Sequence, residues 1–360
     1  MFGKLFRVAE RWSGIALGDG FVKISPGKWA GLQAVSDSRG VIAALAIDQR
    51  SALRKLLGKA QGVDPEAIPD EMLRQFKEAV SRILTPHTSA ILLDPEYGLS
   101  AARQRSKNTG LLLAYEQTGY DQTVPGRLPR LLPGYSARRL VAAGADCIKV
   151  LLYYSPFSTQ TINDQKHAWV RRVGAECVAA DVPFFLELVC YHDQLETSGI
   201  EFARAKPEIV ERSLEEFSQQ PYAVDVFKIG VPVNLAFVEG IAAPGAPTAY
   251  TREQALSHFR RASATAGRPF LYLSEGVSGE LFRAALELAA ESGAAYSGVL
   301  CGRATWIDGV KIYVQFGRSA LEEWLGVSGV NSIQQMNQLL LRATPWFAFY
   351  GAASAAECSG

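Results

Sequence analysis

Short runs of β-branched and other apolar residues alternate with longer stretches whose apolar positions recur every three or four residues. The alternation runs from about residue 41 to about residue 325. Eight runs read as strands: 41–47, 89–93, 111–115, 147–152, 183–189, 224–229, 269–273 and 297–301. Between them, 70–84, 136–143, 164–180, 206–218, 253–264 and 278–292 carry helical periodicity. Two of these helices close on glycine-alanine turns, at Gly144-Ala145 and Gly293-Ala294, where a left-handed cap is expected. Strands separated by helices predict an α/β fold, a parallel (β/α)8 TIM barrel. The third unit is the weak one, because 117–133 reads as loop more than helix.

No linker or low-complexity segment divides the chain, so 1–360 reads as a single domain. The barrel would occupy approximately 40–325, after an N-terminal extension, 1–30, leading to a helix beneath it. A C-terminal helix and tail, 328–360, would follow, ending in the aromatic cluster Trp346-Phe347-Ala348-Phe349-Tyr350. Such a cluster packs against the body, caps a site or forms a subunit contact.

Composition narrows the function classes. At 48% hydrophobic and 20% charged, the chain can bury a large core. A formal net charge of +1 argues against nucleic acid or an acidic membrane as partner. Five cysteines form no CxxC pair or Cys/His cluster, which fits a reduced, cytoplasmic setting. Residues 1–20 carry charges throughout, so they read as neither signal peptide nor membrane span. No metal site is expected: Asp94 and Glu96 have no nearby histidine and read as loop-capping carboxylates.

Barrel enzymes place chemistry at the C-terminal ends of strands. Those ends carry Asp48, Lys149, Glu187, Lys228, Ser274 and Arg303. Alternation puts Lys149 on the face of Cys147, Glu187 on that of Phe185, and Lys228 on that of Val226. Lys228 closes an apolar run, where desolvation lowers an ammonium pKa and favours the amine that forms Schiff bases. A lysine at a strand end also commonly reaches solvent. Lys149, held cationic beside Glu187, would discourage a second positive charge at Lys228, although the two also read as a structural ion pair. Glu187 would shuttle protons and Asp48 would orient or deprotonate a hydroxyl. Ser274-Glu275-Gly276 and Gly302-Arg303 follow the last two strands, the usual phosphate cradle of this fold.

At these residues the sequence resembles the tagatose 1,6-bisphosphate aldolase family of class I barrel aldolases. The resemblance rests on strings such as Ala46-Ile47-Asp48-Gln49-Arg50, Ile91-Leu92-Leu93-Asp94-Pro95-Glu96-Tyr97-Gly98 and Leu112-Leu113-Ala114-Tyr115-Glu116. Lys149-Val150-Leu151-Leu152-Tyr153-Tyr154, Pro183-Phe184-Phe185-Leu186-Glu187 and Gly298-Val299-Leu300-Cys301-Gly302-Arg303 extend it. It implies Lys228 as Schiff-base lysine and Glu187 as acid/base. It also implies Asp48, Gln49 and Lys149 as substrate-contacting, and Ser274 with Arg303 as phosphate-contacting. The implied reaction is reversible, metal-free and cofactor-free cleavage of a ketohexose 1,6-bisphosphate to dihydroxyacetone phosphate and glyceraldehyde 3-phosphate.

Two departures stand out. Gly230 occupies a position where the family usually has glutamate, and Glu275 one where a small residue is usual. A carboxylate at 275 would repel phosphate unless it points away or pairs, for instance with Arg303. Two alternatives stay open: a 6-deoxy-6-sulfofructose 1-phosphate aldolase, and a regulatory protein that senses sugar phosphates with the same pocket. Arg50, Arg103, Arg105 and Lys107 are candidate donors to the distal anion, or ordinary loop charges. Barrels of this kind commonly associate, so a homo-oligomer is compatible with the sequence.

Overall fold

The computed structural model describes residues 24–118, 120 and 124–358. Most of the expected N-terminal extension, residues 1–23, therefore lies outside the described residues. Eight strands close into a barrel in sequence order: β1 (Ile42–Ala46), β2 (Ala90–Leu93), β3 (Gly110–Ala114), β4 (Cys147–Tyr154), β5 (Phe184–Cys190), β6 (Val226–Gly230), β7 (Phe270–Leu273) and β8 (Gly298–Cys301). Every pairing is parallel, including the β1–β8 closure. The expected (β/α)8 architecture is the one observed.

Both faces of each strand are buried, which is why the runs are apolar almost without interruption. Odd and even positions nevertheless go to different places. Ile42, Ala44, Ala46, Leu92, Leu112, Ala114, Cys147, Phe185, Val226, Leu271 and Leu300 fill the interior. Their neighbours pack against the surrounding helices. Continuing the inward set by two residues on β1, β4, β5 and β6 lands on Asp48, Lys149, Glu187 and Lys228.

The helix Pro26–Val35 lies beneath the barrel, as expected, with buried Leu32 and Val35 in the same cluster as the interior residues. The aromatic end joins it there. Trp346 is fully buried, donates its backbone N–H to the Gly40 carbonyl, and shares the cluster with Leu32 and Ile42. The tail thus plugs the N-terminal mouth. The segment 117–133 has no helix among its described residues, as the sequence suggested, and the short helix Ala137–Ala142 completes the third unit. Four α-helices had no counterpart in the sequence reading: Ser51–Gln61, Leu99–Gln104, the single turn Arg303–Trp306, and Gly309–Trp324, the last kinked at Gly317. Among the described residues, no helix is long and apolar enough to cross a membrane.

Candidate active site

A cavity of about 750 Å³ opens at the C-terminal end of the barrel. Asp48, Gln49, Glu187, Lys228, Ser274, Gly276 and Arg303 line it. Lys149 does not reach the wall; it is fully buried beneath the floor. Gly302 also stands off the wall, and a Cβ there would collide with the backbone of Ala46.

The floor is one charged cluster. Lys149 Nζ lies 2.9 Å from Asp48 Oδ2, 2.7 Å from Glu116 Oε1 and 2.8 Å from Glu187 Oε2. The same Glu187 oxygen accepts a hydrogen bond from Lys228 Nζ at 2.9 Å. Register explains the meeting, because Glu187 pairs directly with Lys228 across β5 and β6, and Ala114 with Lys149 across β3 and β4. Desolvation alone would push Asp48 and Glu187 up, but the Lys149 and Lys228 ammonium groups overcome it and hold both carboxyls below their ordinary values. Desolvation likewise works against the Lys149 cation, and three carboxylates outweigh it, so its pKa stands well above the ordinary value. Lys149 is therefore a fixed positive charge. Among the described residues, no group of three or more His, Cys, Asp or Glu side chains is arranged to hold a metal ion.

Glu116 is the member that sequence reasoning did not assign. Burial raises its pKa despite Lys149 and Arg50, and its Oε2 is buried without a partner. The signal was present, since Leu112 and Ala114 point inward and the next residue in that alternation is Glu116. It escaped because the strand ends at Ala114 and the residue sits in an isolated antiparallel bridge to Leu131.

A second layer holds the floor in place. Lys77, fully buried in the helix Asp70–Leu84, donates to the carbonyls of Ile47 (2.7 Å) and Gln49 (2.9 Å) and to Asp94. Asp94 accepts from the backbone N–H groups of Glu96 and Tyr97, and Glu96 pairs with Arg50 at 2.6 Å. Both loop carboxylates are thus committed to cations and loop amides. Of the four suggested distal donors, only Arg50 lines the cavity; Arg105 instead bonds the carbonyls of Thr109 and Ala102. Arg103 and Lys107 also lie off the cavity wall. Arg127, which the sequence reading did not single out, does line it, 5.0 Å from the centre of the Tyr153 ring and 4.7 Å from that of Tyr191.

At the opposite wall the chain turns tightly after β7. Val277 N–H donates to the Ser274 carbonyl at 2.9 Å, and the two central residues, Glu275 and Gly276, have φ of +49° and +87°. The Arg303 guanidinium rests against Gly276, where an added Cβ would come within 2.9 Å of it. Glycine is needed there on both counts. Glu275 does not pair with Arg303 as suggested. It forms an ion pair with Lys206 of the helix Ile200–Phe217, at 2.6 Å. Its carboxylate also fills the space beside Gly230, so the two departures from the family pattern meet in one place.

Residues 42–308 match the family model described as DeoC/LacD family aldolase. The chain is 49% identical over 327 residues to tagatose 1,6-diphosphate aldolase 2 of Enterococcus faecalis, covering 90% of this chain and 97% of that one. It is 46% identical to tagatose 1,6-diphosphate aldolase of Listeria monocytogenes, over 92% of this chain and 96% of that protein. The Staphylococcus aureus enzyme of the same description is 46% identical, over 89% and 97%. Among solved structures, a fructose-bisphosphate aldolase from Plasmodium falciparum superimposes with a TM-score of 0.59 at 13% identity, over 92% of this chain and 97% of that chain. At that identity the likeness concerns the fold alone.

Proposed function

The chain belongs to the DeoC/LacD family of aldolases, and on that premise we propose that it cleaves a ketohexose 1,6-bisphosphate through a Schiff base on Lys228. The products are dihydroxyacetone phosphate and glyceraldehyde 3-phosphate, and tagatose 1,6-bisphosphate or its epimers are the substrates. The observation that supports this most directly is the buried Lys228 amine at the cavity wall, 2.9 Å from a carboxylate oxygen that Lys149 also holds.

The chemistry follows from proton positions. Glu187, held anionic, takes a proton from the Lys228 ammonium and leaves an amine beside the ketone carbon. Nitrogen adds to C2, and the carbinolamine oxygen leaves as water with protons that Glu187 carries from nitrogen to oxygen. Ammonium and ketone have then become iminium and water with no net change in protons. A base, assigned to Asp48, removes the C4 hydroxyl proton; the C3–C4 bond breaks and its electron pair flows into the iminium. Lys149 stays cationic throughout and favours the return of Glu187 and Asp48 to their anionic forms after each proton transfer. The C1 phosphate lies on the turn at Ser274 and Gly276 and against Arg303, in agreement with the anion cradle common after the last two strands of this fold.

Borohydride reduction in the presence of dihydroxyacetone phosphate tests the assignment. One adduct of the expected mass should map by peptide analysis to Lys228. Lys228→Met should retain the fold yet give neither adduct nor cleavage, and an adduct elsewhere would refute the assignment. Side-by-side assays of tagatose, fructose and 6-sulfofructose phosphates would fix the substrate.

A further inference from the structure

We propose that Glu275 is a positioning residue, a clasp closed on Lys206 that holds the anion-binding turn, and that residue 230 is glycine because this carboxylate occupies its side-chain space. The inference rests on the aldolase reading only for the identity of the natural ligand.

Three observations carry it. First, Glu275 takes a left-handed backbone conformation that side chains other than glycine, asparagine and aspartate adopt at a cost. Something must hold it there, and the 2.6 Å ion pair to Lys206 is the partner present. Second, the lysine is secluded: Lys206 is 5% exposed, while Glu275 reaches it from an exposed turn, and both residues line the cavity beside the buried thiol of Cys190. A lysine so buried needs a counter-charge, and one left alone would be strongly unfavourable. Third, a Cβ on Gly230 would overlap the Glu275 carboxylate. Position 230 is two residues beyond Lys228 on the same face of β6. The clasp therefore bridges the strand that carries the amine, the helix Ile200–Phe217 and the turn formed by Ser274 and Gly276. It also turns the negative charge of residue 275 away from the anion that the turn receives.

The geometry further implies that the carboxylate can be supplied from either side. Glycine at 275 relaxes the turn, and glutamate at 230 can then reach the vacated space and pair with Lys206. The test compares wild type, Glu275→Gly, Lys206→Met, Gly230→Glu and the double variant Gly230→Glu/Glu275→Gly. Inorganic phosphate binding is followed by calorimetry and cleavage by steady-state kinetics. Glu275→Gly and Lys206→Met should each weaken phosphate binding and raise KM about tenfold, with kcat within about threefold, as expected for loss of a charge-assisted contact. The double variant should return to within about threefold of wild type on the same scale. Gly230→Glu alone forces two carboxylates together and should be the worst; should it fail to fold, Glu275→Gly against the double variant still decides. Unchanged phosphate binding in Glu275→Gly and Lys206→Met, or a double variant no better than Glu275→Gly, overturns the proposal. If wild type binds phosphate but cleaves no ketose bisphosphate, the aldolase reading falls and the clasp is still judged by the phosphate data.

Discussion

Lys149 shows how one buried charge sets the state of three others. Its ammonium is the shared partner of Asp48, Glu116 and Glu187, and none of those distances exceeds 2.9 Å. Lys149→Met would leave carboxylates buried without compensation and should lower unfolding free energy by about 3–5 kcal/mol at neutral pH. The sign with pH follows. In wild type, Asp48 and Glu187 have folded pKa values below their ordinary values of 3.8 and 4.5, so they stabilise above those values and lose that contribution as pH falls through the folded pKa. The variant should lose this acid dependence, and its deficit should shrink toward low pH in denaturant titrations. Lys166 gives the same sign of slope at higher pH, through a cation that folding disfavours. Fully buried and donating to the Tyr191 hydroxyl at 2.9 Å, it is pushed down by desolvation from 10.5 to about 7. The unfolded chain binds the extra proton between those values, so this group makes stability rise with pH across that window, by at most about 1.4 kcal/mol per pH unit. Lys166→Met should flatten that rise, which urea midpoints from pH 6 to 10 would show. An unchanged slope would refute it.

Elements carry these residues into contact, and they differ in how openly the sequence declares them. The eight strands were legible because apolar runs of barrel strands are buried on both faces, and period-two counting along them predicted that Lys149, Glu187 and Lys228 point inward. What alternation could not supply was the stagger between strands, which sets Glu187 opposite Lys228 but Phe185 opposite Lys149. Nor could it show that Lys77 belongs to the site. In sequence, that residue is one polar position in a strongly amphipathic helix, and its role appears only where the middle of the helix meets the loops after β1 and β2. The helix Ser51–Gln61 was hidden for a related reason: it begins on Arg50 with no side-chain cap, so no start signal precedes it. Lys77→Met should free the segment carrying Asp48 and leave Asp94 an unpaired buried charge, costing about 3–5 kcal/mol. Pairing it with Asp94→Asn should be less damaging than the sum of the single changes, a coupling that a double-mutant cycle in denaturant would measure. Additive effects would mean that Lys77 and Asp94 act separately.

Across the whole molecule, the two mouths of the barrel divide the labour. The C-terminal mouth holds the cavity, its charged floor and the turn after β7. The N-terminal mouth is closed by Pro26–Val35 from one end of the described chain and by the aromatic segment from the other, joined by the Ile24 N–H donating to the Cys358 carbonyl at 3.0 Å. The aromatic cluster accordingly reads as a plug, with Trp346 at its centre. Its indole Nε1 donates to Ser36 Oγ at 3.3 Å, and its ring meets Phe347 and Tyr350 edge-on at 5.7 and 6.0 Å. Emptying that position removes a large apolar side chain from close packing, together with its hydrogen bond to Ser36. Trp346→Ala should cost about 3–5 kcal/mol of stability. Because interior layers from Ile42 to Ala46 separate the plug from Asp48, the cavity geometry should survive the change. KM and kcat should stay within about twofold of wild type well below the unfolding transition, as expected when a change adds no strain at the reacting groups. Denaturant midpoints and steady-state kinetics on one preparation provide the check. A KM that rises in step with the lost stability would show that the plug tensions the barrel as far as its catalytic mouth.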